Sequence, residues 1–192
     1  MAMKSLIVFA HPNPNSFNYA LVAAVEKKLR ARGDEVRKRD LYSSDFNPVL
    51  DSQQLAEVQQ GRVPSDVAEE QQEVVWADNL IFIYPLWWFD RPALLKGWFD
   101  RVFTNGFAFA YEAGQLQGRL GSKRVMIVIT TGGSEADFGA DADQLCSSGT
   151  RATLAFCGVD QIIQKVFYAV PAVDDAARQA MLLELENLTE TL

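Results

Sequence analysis

Five stretches rich in apolar residues recur along the chain and predict five β-strands. Lys4–Ala10, Leu80–Tyr84 and Lys123–Thr131 are dense in β-favouring residues and carry charge only where they begin. This composition is typical of strands that are covered on both faces of a sheet. Glu35–Leu41 alternates weakly, which favours a position nearer a sheet edge, and Val159–Val170 is predicted to be a fifth strand of mixed polarity.

Between these strands, apolar residues recur every three or four positions, which predicts amphipathic helices. The predicted helices are the segment from Ser16 to Gly33, a segment capped by Ser65, the stripe Leu94–Phe103 after Pro92, Ala142–Phe156, and a last helix capped by Asp174 or Asp175.

Strand and helix alternate five times, which is typical of an α/β fold with a parallel sheet covered by helices on both faces. With five strands, the order 2-1-3-4-5 is favoured among doubly wound arrangements. We expect residues 1–192 to form a single domain. Tyr42–Pro64 is polar and glutamine-rich, and we interpret it as an excursion or mobile cover with a short helix at Ser52–Gln59. Thr104–Ser122 is predicted to be a long connection.

Composition and charge limit the kinds of partner that the protein is expected to bind. The net charge of −7 and the pI of 4.7 argue against binding to a nucleic-acid backbone. Cys146 and Cys157 have no neighbouring histidine, so they predict neither a metal site nor a disulfide framework and fit a reduced cytoplasmic protein. No apolar run approaches a membrane span, and we expect no membrane insertion.

Three loops are expected to meet at the carboxyl edge of the sheet, where doubly wound folds bind ligands: His11–Ser16, Pro85–Arg91 and Gly132–Gly139. The first opens a helix, whose N-terminal N–H groups favour an anion such as phosphate. His11, the only histidine, could donate to that phosphate or could simply be bonded to backbone in a turn. No GxGxxG or GxxxxGK[ST] motif is present.

The second loop offers flat aromatic surface at Trp87, Trp88 and Phe89, although these side chains could instead be ordinary core. The third, with Thr130–Gly133, lets backbone approach a ligand closely. A phosphate site at one end and a flat surface at the other describe a flavin mononucleotide unit. With one histidine there is no Ser-His-Asp arrangement, so a bound cofactor would carry the chemistry, which favours an oxidoreductase.

Three motifs, AHPNPNSFNYAL (Ala10–Leu21), YPLWWFDRPALLKGWFDRVF (Tyr84–Phe103) and ITTGG (Ile129–Gly133), occur in this order. Together they resemble the flavodoxin-like NAD(P)H:quinone oxidoreductase family, which includes diaphorases, modulators of drug activity and ancillary flavoproteins of potassium efflux systems. The resemblance implies a homodimer with FAD or FMN at the subunit interface. Hydride would pass from NAD(P)H through the flavin to a quinone or similar acceptor.

By motif position, the resemblance assigns the flavin phosphate to His11, Asn15, Ser16, Phe17 and Asn18, the isoalloxazine ring to Pro85, Leu86, Trp87, Trp88 and Phe89, and the other edge of the ring to Thr130, Thr131, Gly132 and Gly133.

The sequence also departs from the diaphorase branch. The tyrosine and histidine that relay charge there correspond to Phe138 and Gln144, and Gly106 stands in place of an acidic residue that contacts adenine. Arg178 matches an arginine that reaches toward the adenine from the partner subunit. Two alternatives stay open: a regulatory flavoprotein that docks on a transporter, and a one-electron carrier.

Overall fold

A computed structural model describes residues 2–192 and contains a five-stranded parallel sheet and a separate two-stranded hairpin. The strands are β1 (Lys4–Phe9), β2 (Glu35–Asp40), β3 (Asn79–Pro85), β4 (Phe109–Glu112), β5 (Gln115–Gly118), β6 (Arg124–Thr130) and β7 (Ile162–Phe167). The helices are α1 (Phe17–Ala31), α2 (Ser52–Gln59), α3 (Ser65–Trp76), α4 (Ala93–Val102), α5 (Ala142–Phe156) and α6 (Asp175–Thr189), with a 3₁₀ turn at Glu135–Phe138.

The parallel sheet has the order β2-β1-β3-β6-β7, which is the predicted 2-1-3-4-5 order once the hairpin is set aside. Central strand β3 pairs with β1 and with β6, and all seven of its residues are buried. Its charge-free sequence thus reflects its covering on both faces. Edge strand β2 buries only Val36 fully, which agrees with its weak alternation.

Helices cover both faces of the sheet and form two hydrophobic cores. On one face, α1 and α6 pack around Leu21, Val25 and Leu185. On the other face, α3, α4 and α5 pack around a larger cluster that contains Trp98 and Phe99. The apolar stripe predicted for α4 is buried in this cluster. Residues three or four positions apart lie on the same face of a helix, and in α4 that face packs on the sheet.

The excursion between β2 and α3 contains α2 at the predicted residues, and it is fastened to α4. The Arg101 guanidinium donates to the backbone oxygen of Asn47 at 2.6 Å, to Gln54 Oε1 at 2.5 Å and to Asp66 Oδ2 at 2.6 Å. Asp51 caps α2 by accepting from the Gln54 N–H at 2.7 Å. The excursion is therefore an anchored part of the α4 face.

Some predicted boundaries were wrong. Pro64, not Ser65, occupies the N-cap position of α3, and β7 is shorter than Val159–Val170. Thr104–Ser122 contains the β4–β5 hairpin, which was predicted as an irregular connection. Asp174 caps α6, as one of the two predicted candidates. Among residues 2–192, no helix combines the length and apolar character needed to cross a membrane.

Candidate functional site

The loops after β1, β3 and β6 enclose a cavity of about 420 Å³ at the carboxyl edge of the sheet. It is lined by His11, Ser16, Phe17, Asn18, Pro85, Leu86, Trp87, Thr130, Thr131, Gly132, Val170 and Pro171. The structure thus brings residues of all three predicted loops together. Among the predicted residues, Asn15, Trp88, Phe89 and Gly133 do not line the cavity, while Val170 and Pro171 after β7 were not predicted.

A larger groove of about 600 Å³ lies between α1 and α6 and is lined by alanines, leucines and polar side chains such as the exposed Lys27 and the half-buried Glu186. No loop at the carboxyl edge of a strand contributes to it. The smaller cavity is the candidate site because it combines a helix N-terminus with buried polar atoms that have no protein partner.

The start of α1 forms one wall of the cavity. Ser16 is in the N-cap position with extended backbone, but its side chain makes no capping hydrogen bond. Its Oγ is buried and has no partner among the described residues. The N–H groups of Phe17 and Asn18 also lack an acceptor there, as expected for the first turn of a helix. These three donors and the helix dipole suit a phosphate group.

Asn18 joins this wall to the loop after β6. Its Nδ2 donates to Thr130 Oγ1 at 2.9 Å, while its buried Oδ1 has no partner. Thr131 Oγ1 donates to the Gly133 backbone oxygen at 2.7 Å and so holds the Thr-Thr-Gly-Gly turn. Gly133 therefore positions Thr131, which lines the cavity, and does not line the cavity itself.

His11 lines the cavity and is bonded to backbone in a turn, as one of its two interpretations expected, while its contact with a phosphate stays a prediction. The Asn13 N–H donates to His11 Nδ1 at 3.1 Å. His11 Nδ1 also lies 3.2 Å from the Asn13 backbone oxygen, so these contacts fit either tautomer of the ring. The ring centroid lies 6.1 Å from that of Trp87, across the cavity.

The aromatic residues after β3 form a tight turn. Trp87 N–H donates to the Asp90 oxygen at 2.9 Å, and Asp90 N–H donates to the Trp87 oxygen at 3.2 Å. Between them, Trp88 and Phe89 have φ angles of 51° and 62°, the left-handed region that a type I′ turn requires. Bulky side chains in this region cost about 1–3 kcal/mol each.

The turn leaves its aromatic side chains at the surface. Trp87, Trp88 and Phe89 are 41%, 94% and 60% exposed, so the interpretation of these residues as ordinary core is wrong. Of the three, only Trp87 lines the cavity, and Trp88 and Phe89 follow it in the turn. The turn therefore presents exposed aromatic side chains next to a cavity whose wall carries the unpartnered donors of α1.

The residues at the two relay positions of the diaphorase branch, Phe138 and Gln144, have no titratable side chain. Phe138 packs between Phe89 and Tyr168, with ring centroids 6.0 Å and 5.9 Å away, and Gln144 lies exposed on α5. Tyr168 hydroxyl donates to Asp143 Oδ1 at 2.6 Å. Burial, followed by this bond to a carboxylate, raises the pKa of Tyr168, so the phenol keeps its proton at neutral pH.

The two positions predicted to border an adenine lie outside the cavity lining. Gly106 is exposed in the turn that precedes β4. The Arg178 guanidinium donates to the backbone oxygens of Val170 at 3.1 Å and Val173 at 2.6 Å, next to the Val170–Pro171 wall. Arg178 thus holds the loop after β7 in its own subunit.

The strand order, and a cavity at the carboxyl edge of the sheet beside the start of α1, are features of a flavodoxin-like protein. The family model described as flavodoxin-like fold matches residues 3–189, and the chain belongs to this family. An uncharacterized NAD(P)H oxidoreductase of Haemophilus influenzae is 36% identical over 184 residues, covering 94% of this chain and 91% of the relative.

Two further relatives agree. The NAD(P)H dehydrogenase [quinone] 1 of Cavia porcellus is 33% identical over 211 residues, covering 96% of this chain and 77% of its own. The solved NAD(P)H:quinone oxidoreductase of Methanothermobacter marburgensis superposes with a TM-score of 0.85 at 31% identity, covering 98% of this chain and 96% of that one. The resemblance that the three motifs indicated is confirmed.

Proposed function

We propose that this protein is a flavin-dependent NAD(P)H oxidoreductase that passes hydride from NAD(P)H through a bound flavin to quinones or similar acceptors. The observation that carries the proposal is the cavity itself. It combines unpartnered donors at the start of α1 with Trp87, the first residue of the aromatic turn. The relatives named as NAD(P)H:quinone oxidoreductases support the same activity over a regulatory docking role.

The residues present fit a flavin. Ser16 Oγ and the N–H groups of Phe17 and Asn18 would hold its phosphate, and the His11 ring would add a donor beside them. The backbone and side chains of Leu86 and Trp87 would face one part of the ring system. The other edge of the ring system would be bordered by Thr130, Thr131 and Gly132.

A bound flavin supplies the two-electron chemistry that no side chain of this protein can perform. The protein's own contribution is placement. Among the described residues that line the cavity, His11 is the only titratable one, and its Nδ1 is in contact with the Asn13 backbone. The cavity residues therefore bind and orient, and we propose that protons are exchanged with water at the open side of the site.

The proposal is tested on the purified protein. Any bound cofactor is released and its mass determined, which separates FMN from FAD. The loaded protein is then reduced anaerobically with NADH and with NADPH, and a quinone is added. We expect bleaching of the flavin spectrum by a nicotinamide and its return with the quinone. A protein that stays colourless after mixing with either flavin overturns the proposal.

We also propose that two copies form a homodimer that closes the open side of the cavity. Trp88 directly follows Trp87, which lines the cavity, and it is almost fully exposed in the single chain, which is unfavourable for a large apolar side chain. Light scattering should give a dimer mass for the wild type and a larger monomer fraction for Trp88→Ser. Leu183→Ser, an exposed leucine on α6, is the control that should stay dimeric. A monomeric wild type contradicts the proposal.

A cytoplasmic location follows as part of the same proposal. Cys146 and Cys157 are both buried free thiols, which suits a reducing compartment. NAD(P)H as co-substrate requires the same setting. Fractionation of cells that express the protein should recover it with other NAD(P)H-dependent enzymes, and recovery in an oxidising compartment would contradict this location.

A further inference from the structure

The aromatic turn is closed at its base by three side chains that the oxidoreductase proposal does not use. Tyr84, the residue before Pro85, places its hydroxyl 2.8 Å from Thr150 Oγ1 on α5. Arg91, the residue after the turn, donates from Nη1 to the same Thr150 oxygen at 3.1 Å. The two ends of the loop Pro85–Asp90 are therefore tied to one hydroxyl.

Arg91 is an unusual side chain for this position, because it is only 6% exposed. Its guanidinium lies over the Phe99 ring of α4 at 4.5 Å from the centroid, and its Nη2 is 3.4 Å from Thr153 Oγ1. The nearest carboxylate oxygen, on Asp90, is 3.9 Å away, and Arg91 Nε is buried without an acceptor. Burial lowers the pKa of the guanidinium.

A buried cation with a distant counter-ion is a poor way to stabilise a helix interface, since an apolar side chain of similar volume would serve at least as well. What this arrangement does provide is direction, because the planar guanidinium reaches two hydroxyls of one helix at a fixed angle. The Asp90 carboxylate adds to this docking by accepting from the Arg91 N–H at 2.7 Å.

Tyr84 meets the shared hydroxyl from the other side. Burial raises the pKa of Tyr84 to about 12, so its phenol remains a neutral hydrogen-bonding group. Thr150 is itself buried and can serve both partners, because a hydroxyl has one donor and two acceptor sites. Between the two fixed ends, Trp88 and Phe89 keep left-handed backbone that no local preference of theirs supports.

We propose that Tyr84, Thr150 and Arg91 form a clasp that holds the aromatic turn in its strained shape, and that the clasp sets how tightly the site binds flat ring systems. This inference rests on the proposed flavin site, because the turn matters only if a ring lies against Trp87. The three are positioning residues. They act through the turn and do not line the cavity.

The clasp is tested first without any ligand, by hydrogen exchange of the Trp87 and Asp90 amides, which bond each other's carbonyls across the turn. Thr150→Val removes the shared hydroxyl and keeps the shape of the side chain. We expect both amides to exchange at least tenfold faster, with β3 amides unchanged. Thr189→Val is the matched control, because Thr189 is an equally buried helical threonine on α6 whose hydroxyl bonds only to the Leu185 oxygen.

Arg91→Leu is the second variant, and Arg101→Leu is its matched control. Arg101 is another buried arginine on the same face of the sheet, but it fastens the excursion and not the aromatic turn. Both variants are expected to lose stability. Only Arg91→Leu should speed exchange in the turn and weaken the binding of FMN or FAD, by at least tenfold in Kd measured by fluorescence titration.

The outcomes separate the two proposals. If the wild type binds neither flavin, the oxidoreductase proposal fails, and the exchange experiment still decides whether the clasp holds the turn. If the wild type binds flavin, and Thr150→Val and Arg91→Leu leave both the turn amides and the flavin Kd within twofold of their controls, the clasp is refuted.

Discussion

Ser16 is the residue whose environment points most directly to a ligand. Its Oγ is buried and unpartnered, and it contributes no capping bond to α1. Ser16→Ala should therefore weaken flavin binding about 10- to 100-fold, the value of one hydrogen bond to a charged group. The stability of the flavin-free protein should stay constant or rise by up to about 1 kcal/mol, because an unsatisfied buried hydroxyl is removed.

The weaker flavin binding is measured by flavin titration, and the constant or higher stability is measured by urea unfolding of the flavin-free protein. Ser148→Ala is the control, an exposed serine on α5 that bonds only to the Leu145 oxygen. A large loss of stability in Ser16→Ala would show that Ser16 is a structural cap instead.

Trp88 and Phe89 adopt a left-handed backbone conformation that is unfavourable for these residue types. Replacing them by Asn and Gly, the preferred pair for a type I′ turn, should stabilise the flavin-free protein by about 1–2 kcal/mol. The same double variant should lose turnover with NAD(P)H and a quinone, because the aromatic surface is gone. Urea unfolding and steady-state rates test the two effects, and a loss of stability would contradict the strain.

At this scale, sequence alone predicted the polar walls of the site well. Thr131 directly follows β6, Ser16 begins the helix after β1, and the carboxyl ends of parallel strands meet at one edge. Arg91 could not be predicted in the same way, since a charged loop residue is usually exposed, and its burial depends on Thr150 and Phe99, which are distant in the sequence.

At the scale of elements, the β4–β5 hairpin shows where pattern reasoning fails. Phe109–Glu112 begins with an aromatic alternation, but its partner Gln115–Gly118 is exposed throughout and lacks any apolar periodicity. The turn uses Ala113 at φ 50° and Gly114 at φ 78°. An alanine gives no signal for left-handed backbone, so the aromatic alternation and Gly114 were too little to predict this hairpin.

The contact between the excursion and α4 gives a prediction at the same scale. A Cβ on Gly97 would lie 2.2 Å from the Pro48 backbone oxygen, so Gly97→Ala must push the excursion away. We expect a loss of more than about 1 kcal/mol despite the better helix propensity of alanine, as for other overpacked sites.

Gly149→Ala is the matched helical control, because its Cβ would meet only the Asp90 carboxylate oxygen, at 3.4 Å. This variant should gain up to about 1 kcal/mol from helix propensity alone. Urea unfolding of both proteins decides the matter. Equal effects of the two substitutions would mean that the excursion is not tightly packed on α4.

For the whole molecule, the topology was predictable because strand and helix alternate and because parallel connections cross in one direction only. The order β2-β1-β3-β6-β7 follows from these general rules and needs no particular contact. The charges that fasten the layers were not predictable. Glu70 on α3 accepts from both Arg39 on β2 and Trp98 on α4, a bridge that only the assembled fold creates.

The pH dependence of stability is a property of the whole molecule that follows from two buried acids. Burial raises the pKa of Cys157 from 9 to about 11 and that of Tyr84 from 10 to about 12. Between the unfolded and folded values, only the unfolded chain has lost the proton. Each group's contribution is therefore complete below its unfolded pKa and falls by up to about 1.4 kcal/mol per pH unit above it.

We therefore expect the free energy of unfolding to decline between about pH 9 and 12, and Cys157→Ala to decline less steeply between pH 9 and 11. Urea unfolding at pH 8 and pH 10 measures both slopes. Cys157 sits in the core that supports α5, the helix that carries Thr150. Equal slopes in the wild type and in Cys157→Ala would show that the thiol does not contribute to alkaline unfolding.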